Sequence, residues 1–163
     1  MRQSTCDLAD RFGDAARIPA PVFRDFGGRR SFRGTVVTVK CFEDNSRVKE
    51  LLAMPGGGRV LVVDGGGSLR CALVGDMIAK DAVANDWAGL VIYGCVRDTS
   101  VLATLDIAIK ALGATPRRST RRGEGSIQLA VEVGGARIVD GDVIVGDDDG
   151  IVVLTQEQAA EVG

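Results

Sequence analysis

The chain has 163 residues, 45% apolar but only 4% aromatic, with 20 basic and 22 acidic side chains giving a net charge of −2. That length suits one domain, 1–163, with a sizeable core built from Val, Ile, Leu and Ala, and the balanced charge gives no electrostatic case for direct nucleic-acid binding. Histidine is absent, which removes Ser-His and Cys-His nucleophile schemes and His-type zinc sites.

In chain order, residues 4–12 predict a short helix, with Ser4 or Thr5 as cap, Leu8 and Phe12 on one face and Gly13 as stop. Phe23 to Gly28 reads as irregular. Gly34 to Phe42 alternates and is rich in β-branched residues, the pattern of a strand. Asp44 or Asn45 can cap a helix over roughly Ser46 to Ala53, which Pro55-Gly56-Gly57-Gly58 ends. Val60 to Val63 is a buried strand, followed by a Gly-rich turn from Asp64 to Ser68. Ser68 to Val74 fits either a short strand or an irregular run.

A helix is expected from Asp76, with Ile78, Ala79, Ala82, Val83 and Trp87 on its apolar face. Gly89 opens another strand, buried over Leu90 to Tyr93 and ending in Arg97-Asp98. Val101 to Leu112 predicts a short helix or turn and then a strand. Pro116 to Gly125 is an Arg-rich loop. The runs Ile127–Val133, Val143–Val145 and Ile151–Leu154 are β-like, punctuated by Gly134-Gly135 and by the turn Gly146 to Gly150. The order of elements is that of an α/β domain with a central sheet, flanking helices and a C-terminal β portion. No run approaches the roughly 18 apolar residues of a membrane span, and the polar start (Arg2, Asp7, Asp10, Arg11) has no signal-peptide pattern, so a cytoplasmic protein is expected.

Several motifs are absent or incomplete. There is no phosphate-binding G-x-x-x-x-G-K-[ST] loop, and Gly65-Gly66-Gly67 does not continue into G-x-G-x-x-G because position 70 is Arg. Val63 to Gly67 is similar to the strand-end glycine motif of S-adenosylmethionine-dependent methyltransferases, but its last glycine position is Ser68. Asp147-Asp148-Asp149-Gly150 lacks the alternate spacing of a calcium loop and reads as a solvated hairpin. Cys6, Cys41, Cys71 and Cys95 have no C-x-x-C spacing and are expected to be buried thiols. Arg117, Arg118, Arg121 and Arg122 form the one dense basic patch: a solvated loop, an anion-binding rim, or a docking surface for an RNA-processing partner.

The informative stretch is Arg59 to Asp98. If its two apolar runs are parallel neighbours joined by a right-handed crossover, the helix start at Gly75-Asp76 and the strand end at Arg97-Asp98 share one edge of the sheet, where ligands bind in open α/β sheets. Backbone N–H groups at the helix start can hold a carboxylate, and Arg97 can grip a carboxylate or ketone oxygen with paired donors. Asp98 can hold a cation; without histidine, a metal site would use oxygen ligands and favour Mg²⁺ or Mn²⁺. The bland alternative is a strand-end salt bridge.

The segments Phe26-Gly27-Gly28-Arg29, Thr38 to Asn45, Val60 to Ser68, Gly75-Asp76-Met77 and Gly94-Cys95-Val96-Arg97-Asp98 resemble the family named for regulator of ribonuclease E activity A, which is related to the class II 4-hydroxy-4-methyl-2-oxoglutarate aldolases. The resemblance spans most of the chain. It implies a swivelling β/β/α-type fold and a homotrimeric ring with active sites between subunits. It further implies substrate contacts at Gly75, Asp76, Met77, Ile78 and Arg97, catalytic roles for Arg97 and Asp76, and a divalent metal, Mg or Mn, at Asp98. Aldolases of this group commonly carry an acid three residues after the metal-binding Asp; here that residue is Val101.

The expected function is therefore cleavage of a 2-oxo acid, 4-hydroxy-4-methyl-2-oxoglutarate, to pyruvate, with oxaloacetate decarboxylation as a side activity. The alternative is a non-enzymatic regulator that docks on a ribonuclease E-type partner.

Overall fold

The structure is a computed structural model that describes residues 2–163. Its elements in chain order are α1 (Thr5–Phe12), β1 (Arg24–Asp25), β2 (Phe32–Lys40), α2 (Ser46–Leu52), β3 (Val60–Asp64), β4 (Ala72–Val74), α3 (Asp76–Ala84) and β5 (Gly89–Val96). They continue with α4 (Thr99–Leu102), β6 (Ala108–Ala114), β7 (Ser126–Ile127), β8 (Val131–Val133), β9 (Ala136–Ile138), β10 (Val143–Asp147), β11 (Gly150–Leu154) and α5 (Gln156–Val162).

Strands β2, β3, β5 and β6 are parallel neighbours, and the main sheet runs β1-β6-β5-β3-β2-β10-β11. A parallel sheet needs cover on both faces, and its inner strands then read as continuous apolar runs. β3 (VLVVD) meets that requirement and is buried along its whole length. Alternate residues go to opposite layers. Leu61, Val63, Leu90 and Ile92 pack with Val48 and Leu52 of α2, Ile78, Ala79 and Ala82 of α3, and Leu102 of α4. Val60, Val62 and Val91 pack with Val131 and Val133 of β8, Ile138 of β9, Ile144 of β10, and Ile151 and Val153 of β11. β10 pairs with the first half of β2, Phe32 to Thr35, while Val36 to Lys40 pair with β3. This staggered pairing curls the sheet over its second layer. The result is a mixed α/β fold with a curled central sheet and flanking helices.

Several local expectations change. The irregular Phe23–Gly28 segment contains β1, which adds antiparallel to β6. The ambiguous run before Gly75 includes β4, parallel to the end of β5. The run Ile127–Val133 is not one strand, because Gln128 takes φ +63 and breaks it between β7 and β8. Trp87 lies beyond the end of α3, after a left-handed Asp86, and its indole N–H donates to the Met54 carbonyl at 3.0 Å. The unexpected α5 has a sequence signal: Thr155 and Gln158 form a reciprocal capping box. Cys6 is exposed, unlike the other three cysteines.

Leu61 is fully buried between β2 and β5. Leu61→Ala is expected to destabilise the fold by about 2–5 kcal/mol, read as a lower urea midpoint with an unchanged slope.

Candidate active site

The site is built where β4 and β5 end side by side. The Arg97 backbone N–H donates to the Val74 carbonyl at 3.0 Å, which brings the residue after β5 level with the one after β4. Asp98 then takes a left-handed conformation, φ +58, one that short polar side chains tolerate. Its Oδ2 accepts the Asp76 backbone N–H at 3.0 Å, satisfying an N–H at the helix start that has no partner within the helix.

Gly75 makes this approach possible. A Cβ there would lie 2.7 Å from Asp98 Oδ2 and 3.3 Å from Arg97 Cγ. The Met77 N–H is held by Asp76 Oδ1 at 2.8 Å. Ion pairing in the cluster is loose: Arg97 Nε lies 4.0 Å from Asp98 Oδ2 and Lys80 Nζ lies 3.9 Å from Asp76 Oδ2. Exposed pairs at such range contribute little, so the guanidinium is not committed to a strand-end salt bridge.

The structure therefore brings Gly75, Asp76, Arg97 and Asp98 together. Met77 is adjacent, with its side chain 77% exposed. Ile78 turns into the core, so only its backbone is left to face a ligand. Among the described residues, no group of three or more Asp, Glu or Cys side chains is arranged to hold a metal. Asp76 and Asp98 offer hard oxygen donors. Mg²⁺ is commonly bound by one or two carboxylates together with water and substrate oxygens, and this donor set fits that mode rather than an all-protein cage. The cluster is open on the chain surface. A cavity of ≈ 370 Å³ lies elsewhere, with Lys110, Asp25, Phe23 and Ile151 in its lining. Lys110 is nearly sealed there, its ammonium 3.1 Å from Asp25 Oδ1 and donating to the Asp147 carbonyl at 2.6 Å.

The Arg-rich loop passes over the site. The Thr115 N–H donates to the Val96 carbonyl on one flank of β5, while Arg117 and Ser119 bond Ala72 on the outer flank of β4. Between them the Pro116 carbonyl accepts from Arg97 Nη1 at 3.5 Å. Asp44 anchors the far end. It is fully buried and accepts from the Ser46 N–H and hydroxyl, the Arg122 N–H and the Thr120 hydroxyl. Burial pushes its carboxyl up, but these hydrogen bonds outweigh burial and hold it below the usual range. Asn45 links the Leu73 carbonyl to Arg121 Nε. The sequence marks Asp44 and Asn45 only as helix caps; their hold on residues more than 70 positions away has no local signal.

Desolvation pushes the Cys41 thiol up to about 12 and raises Cys71 and Cys95 too, so none of the three is a ready nucleophile.

Residues 5–153 match the family model for RraA-like proteins, described as Aldolase/RraA. The chain belongs to this family. A relative from Alkalilimnicola ehrlichii is 54% identical over 153 residues, covering 94% of this chain and 95% of its own; one from Pseudomonas putida is 50% identical over 149 residues, 91% of each. Both carry the provisional name 4-hydroxy-4-methyl-2-oxoglutarate aldolase. Among solved structures, the RNA-processing inhibitor RraA from Thermus thermophilis aligns with TM-score 0.91 and 41% identity, over 95% of this chain and 94% of that one.

A Geobacillus kaustophilus structure, described as an S-adenosylmethionine: 2-dimethylmenaquinone methyltransferase, aligns with TM-score 0.92 and 39% identity, over 99% and 100%. In this RraA-like chain the glycine turn after β3 is filled by protein. Gly66 and Gly67 have φ +69 and +73, and their open faces meet the Phe42 and Tyr93 rings. Those glycines let the turn pack closely under both rings.

Asp44 carries a sign-definite prediction. A depressed carboxylate contributes stability above its unfolded value of about 3.9, lost as pH falls through the lower folded value. Asp44→Asn places an amide donor among donors and is expected to be less stable than the parent at pH 7. The gap should narrow in denaturant titrations from about pH 5 to 2.

Proposed function

We propose that this RraA-like protein is a divalent-cation-dependent class II aldolase that cleaves 4-hydroxy-4-methyl-2-oxoglutarate to two pyruvates, with oxaloacetate decarboxylation as a side activity. The observation that carries the reading is the meeting of an uncommitted Arg97 with Asp98 and Asp76 at the Gly75 helix start. The names of relatives at about 50% identity support it. The substrate class is 2-oxo acids bearing a second carboxylate.

Asp98 would hold the cation, Mg²⁺ or Mn²⁺, which when bound supplies Lewis-acid polarisation of the 2-oxo group. Arg97 grips the adjacent carboxylate and 2-oxo oxygen through paired donors. The first turn of α3, Gly75 to Ile78, borders the same end of the substrate, with the Asp76 and Met77 N–H groups already held by Asp98 and Asp76. A water held by the Asp76 carboxylate takes the 4-hydroxyl proton. The C3–C4 bond breaks, C4 becomes the ketone carbon of one pyruvate, and the electron pair stays on C3 as the enolate of the other. Arg97 stabilises that developing charge, and protonation at C3 completes the reaction. Loss of CO₂ from oxaloacetate leaves the same enolate, which makes decarboxylation a natural companion. Assembly as a homotrimer with sites between subunits, which the family resemblance implies, would cover the cluster that is open on one chain.

A second reading, docking on a ribonuclease E-type enzyme as an inhibitor, is favoured by the likeness to the Thermus RNA-processing inhibitor. Fold alone does not choose between the two.

With Mg²⁺ or Mn²⁺, the protein is expected to release two pyruvates per 4-hydroxy-4-methyl-2-oxoglutarate in a coupled pyruvate assay. Asp98→Ala should abolish turnover, and Arg97→Lys, which loses the planar fork, should lower kcat/KM by about 10²-fold or more. Parent-like rates in either variant would remove that residue from the mechanism. A folded protein that cleaves neither substrate but binds a ribonuclease E-type enzyme at micromolar concentration would establish the second reading in its place.

A further inference from the structure

The aldolase reading uses Arg97 and leaves the dense basic patch without a role. Thr115 bonds β5 on the flank it shares with β6, and Arg117 and Ser119 bond the outer flank of β4, so the chain between them must cross the ends of both strands. It crosses at Arg97, whose Nη1 meets the Pro116 carbonyl. Arg117 and Arg118 are the next two residues, so two more cations follow the Arg97 contact directly in the chain, beside Ala72 on the outer flank of β4.

Holding them there works against their charge. Arg117, Arg118, Arg121 and Arg122 fall within six positions, all exposed, and like charges at that spacing repel. The structure restrains the segment from several sides. Buried Asp44 accepts from Thr120 and Arg122, Asn45 accepts from Arg121, and Ser46 accepts from the Gly123 N–H at 2.8 Å. Arg47 adds a hydrogen bond to the Gly123 carbonyl. The Arg117 and Arg118 guanidiniums, in contrast, make no ion pair or side-chain hydrogen bond among the described residues. A solvated loop needs no buried carboxylate to fix it, whereas an anion subsite needs this combination: a rigid backbone carrying donors that are still free.

We propose that Arg117 and Arg118 bind the second carboxylate of the substrate, the one remote from the 2-oxo group, and thereby set the preference for dicarboxylic over monocarboxylic 2-oxo acids. Arg97 serves the 2-oxo end, and Arg117 and Arg118 follow directly on the Pro116 carbonyl that its guanidinium meets. The proposal rests on the aldolase reading for the identity of the ligand. Its test needs no turnover.

Isothermal titration with 2-oxoglutarate and with 2-oxopentanoate compares ligands of equal length that differ by the remote carboxylate. In buffer containing Mg²⁺, the parent should bind 2-oxoglutarate about tenfold or more tighter, the scale of charge-assisted hydrogen bonds. The double variant Arg117→Gln/Arg118→Gln should reduce the ratio to within about twofold while leaving the 2-oxopentanoate affinity unchanged. Both side chains are exposed, so the fold should persist. Arg137→Gln, an exposed charge removal on β9, should keep the parent ratio. Equal affinities in the parent, or an undiminished ratio in the double variant, would overturn the proposal. A preference lost in the double variant from a protein that cleaves no aldol upholds the subsite and removes the aldolase; aldol cleavage without any preference does the reverse.

Discussion

The candidate site depends on one close approach, that of the Asp98 carboxylate to the bare Cα of Gly75. Every other relationship in the cluster follows from it: the Asp76 N–H capped by Asp98, the first turn of α3 set against Arg97, and the left-handed turn that sends the chain from β5 into α4. The approach is held by the pairing of β4 with β5 and by the apolar strands beneath it. β3 and β5 are locked in register from Val60 opposite Gly89 to Asp64 opposite Tyr93. A slip of one residue would turn every core side chain to the wrong face, so the buried sheet fixes the position of polar groups it does not touch.

Charge is distributed with the same economy. Two buried ionisable groups are well satisfied: Asp44 by four donors, and Lys110 by Asp25 and the Asp147 carbonyl. Both tie remote segments to the sheet, the Arg-rich strap in one case and the β10–β11 turn in the other. Leaving such a group unpaired in a low-dielectric interior would be costly. The groups at the strand edge are treated differently. Arg97 and Asp98 are part-exposed and only loosely paired, the condition in which side chains remain available to a ligand.

This RraA-like scaffold has relatives under several names, aldolase and inhibitor of RNA processing among them, and the architecture is compatible with both. The strand edge gathers the polar cluster of Asp76, Arg97 and Asp98. No helix among the described residues is long and apolar enough to cross a membrane.

The sequence by itself determined the long inner strands and most of the helices, because burial on two faces demands continuous apolar runs such as Val60 to Val63, and caps such as Ser4 act within three or four residues. It also pointed to the meeting of Asp76 with Arg97 and Asp98, since parallel neighbours joined by a crossover put those ends at one edge. It offered only a choice for the segment before Gly75, and it gave no cue for the anchoring role of Asp44, the crossing of Pro116 over Arg97 or the pairing of Lys110 with Asp25. β4 has three residues and no periodicity of its own; it becomes a strand because β5 presents unpaired backbone groups beside it. Asp44 meets Arg122, and Lys110 meets Asp147, across long stretches of chain. Contacts between residues so far apart are set by how sheet and loops close on one another, a property of the packed whole that no local pattern encodes.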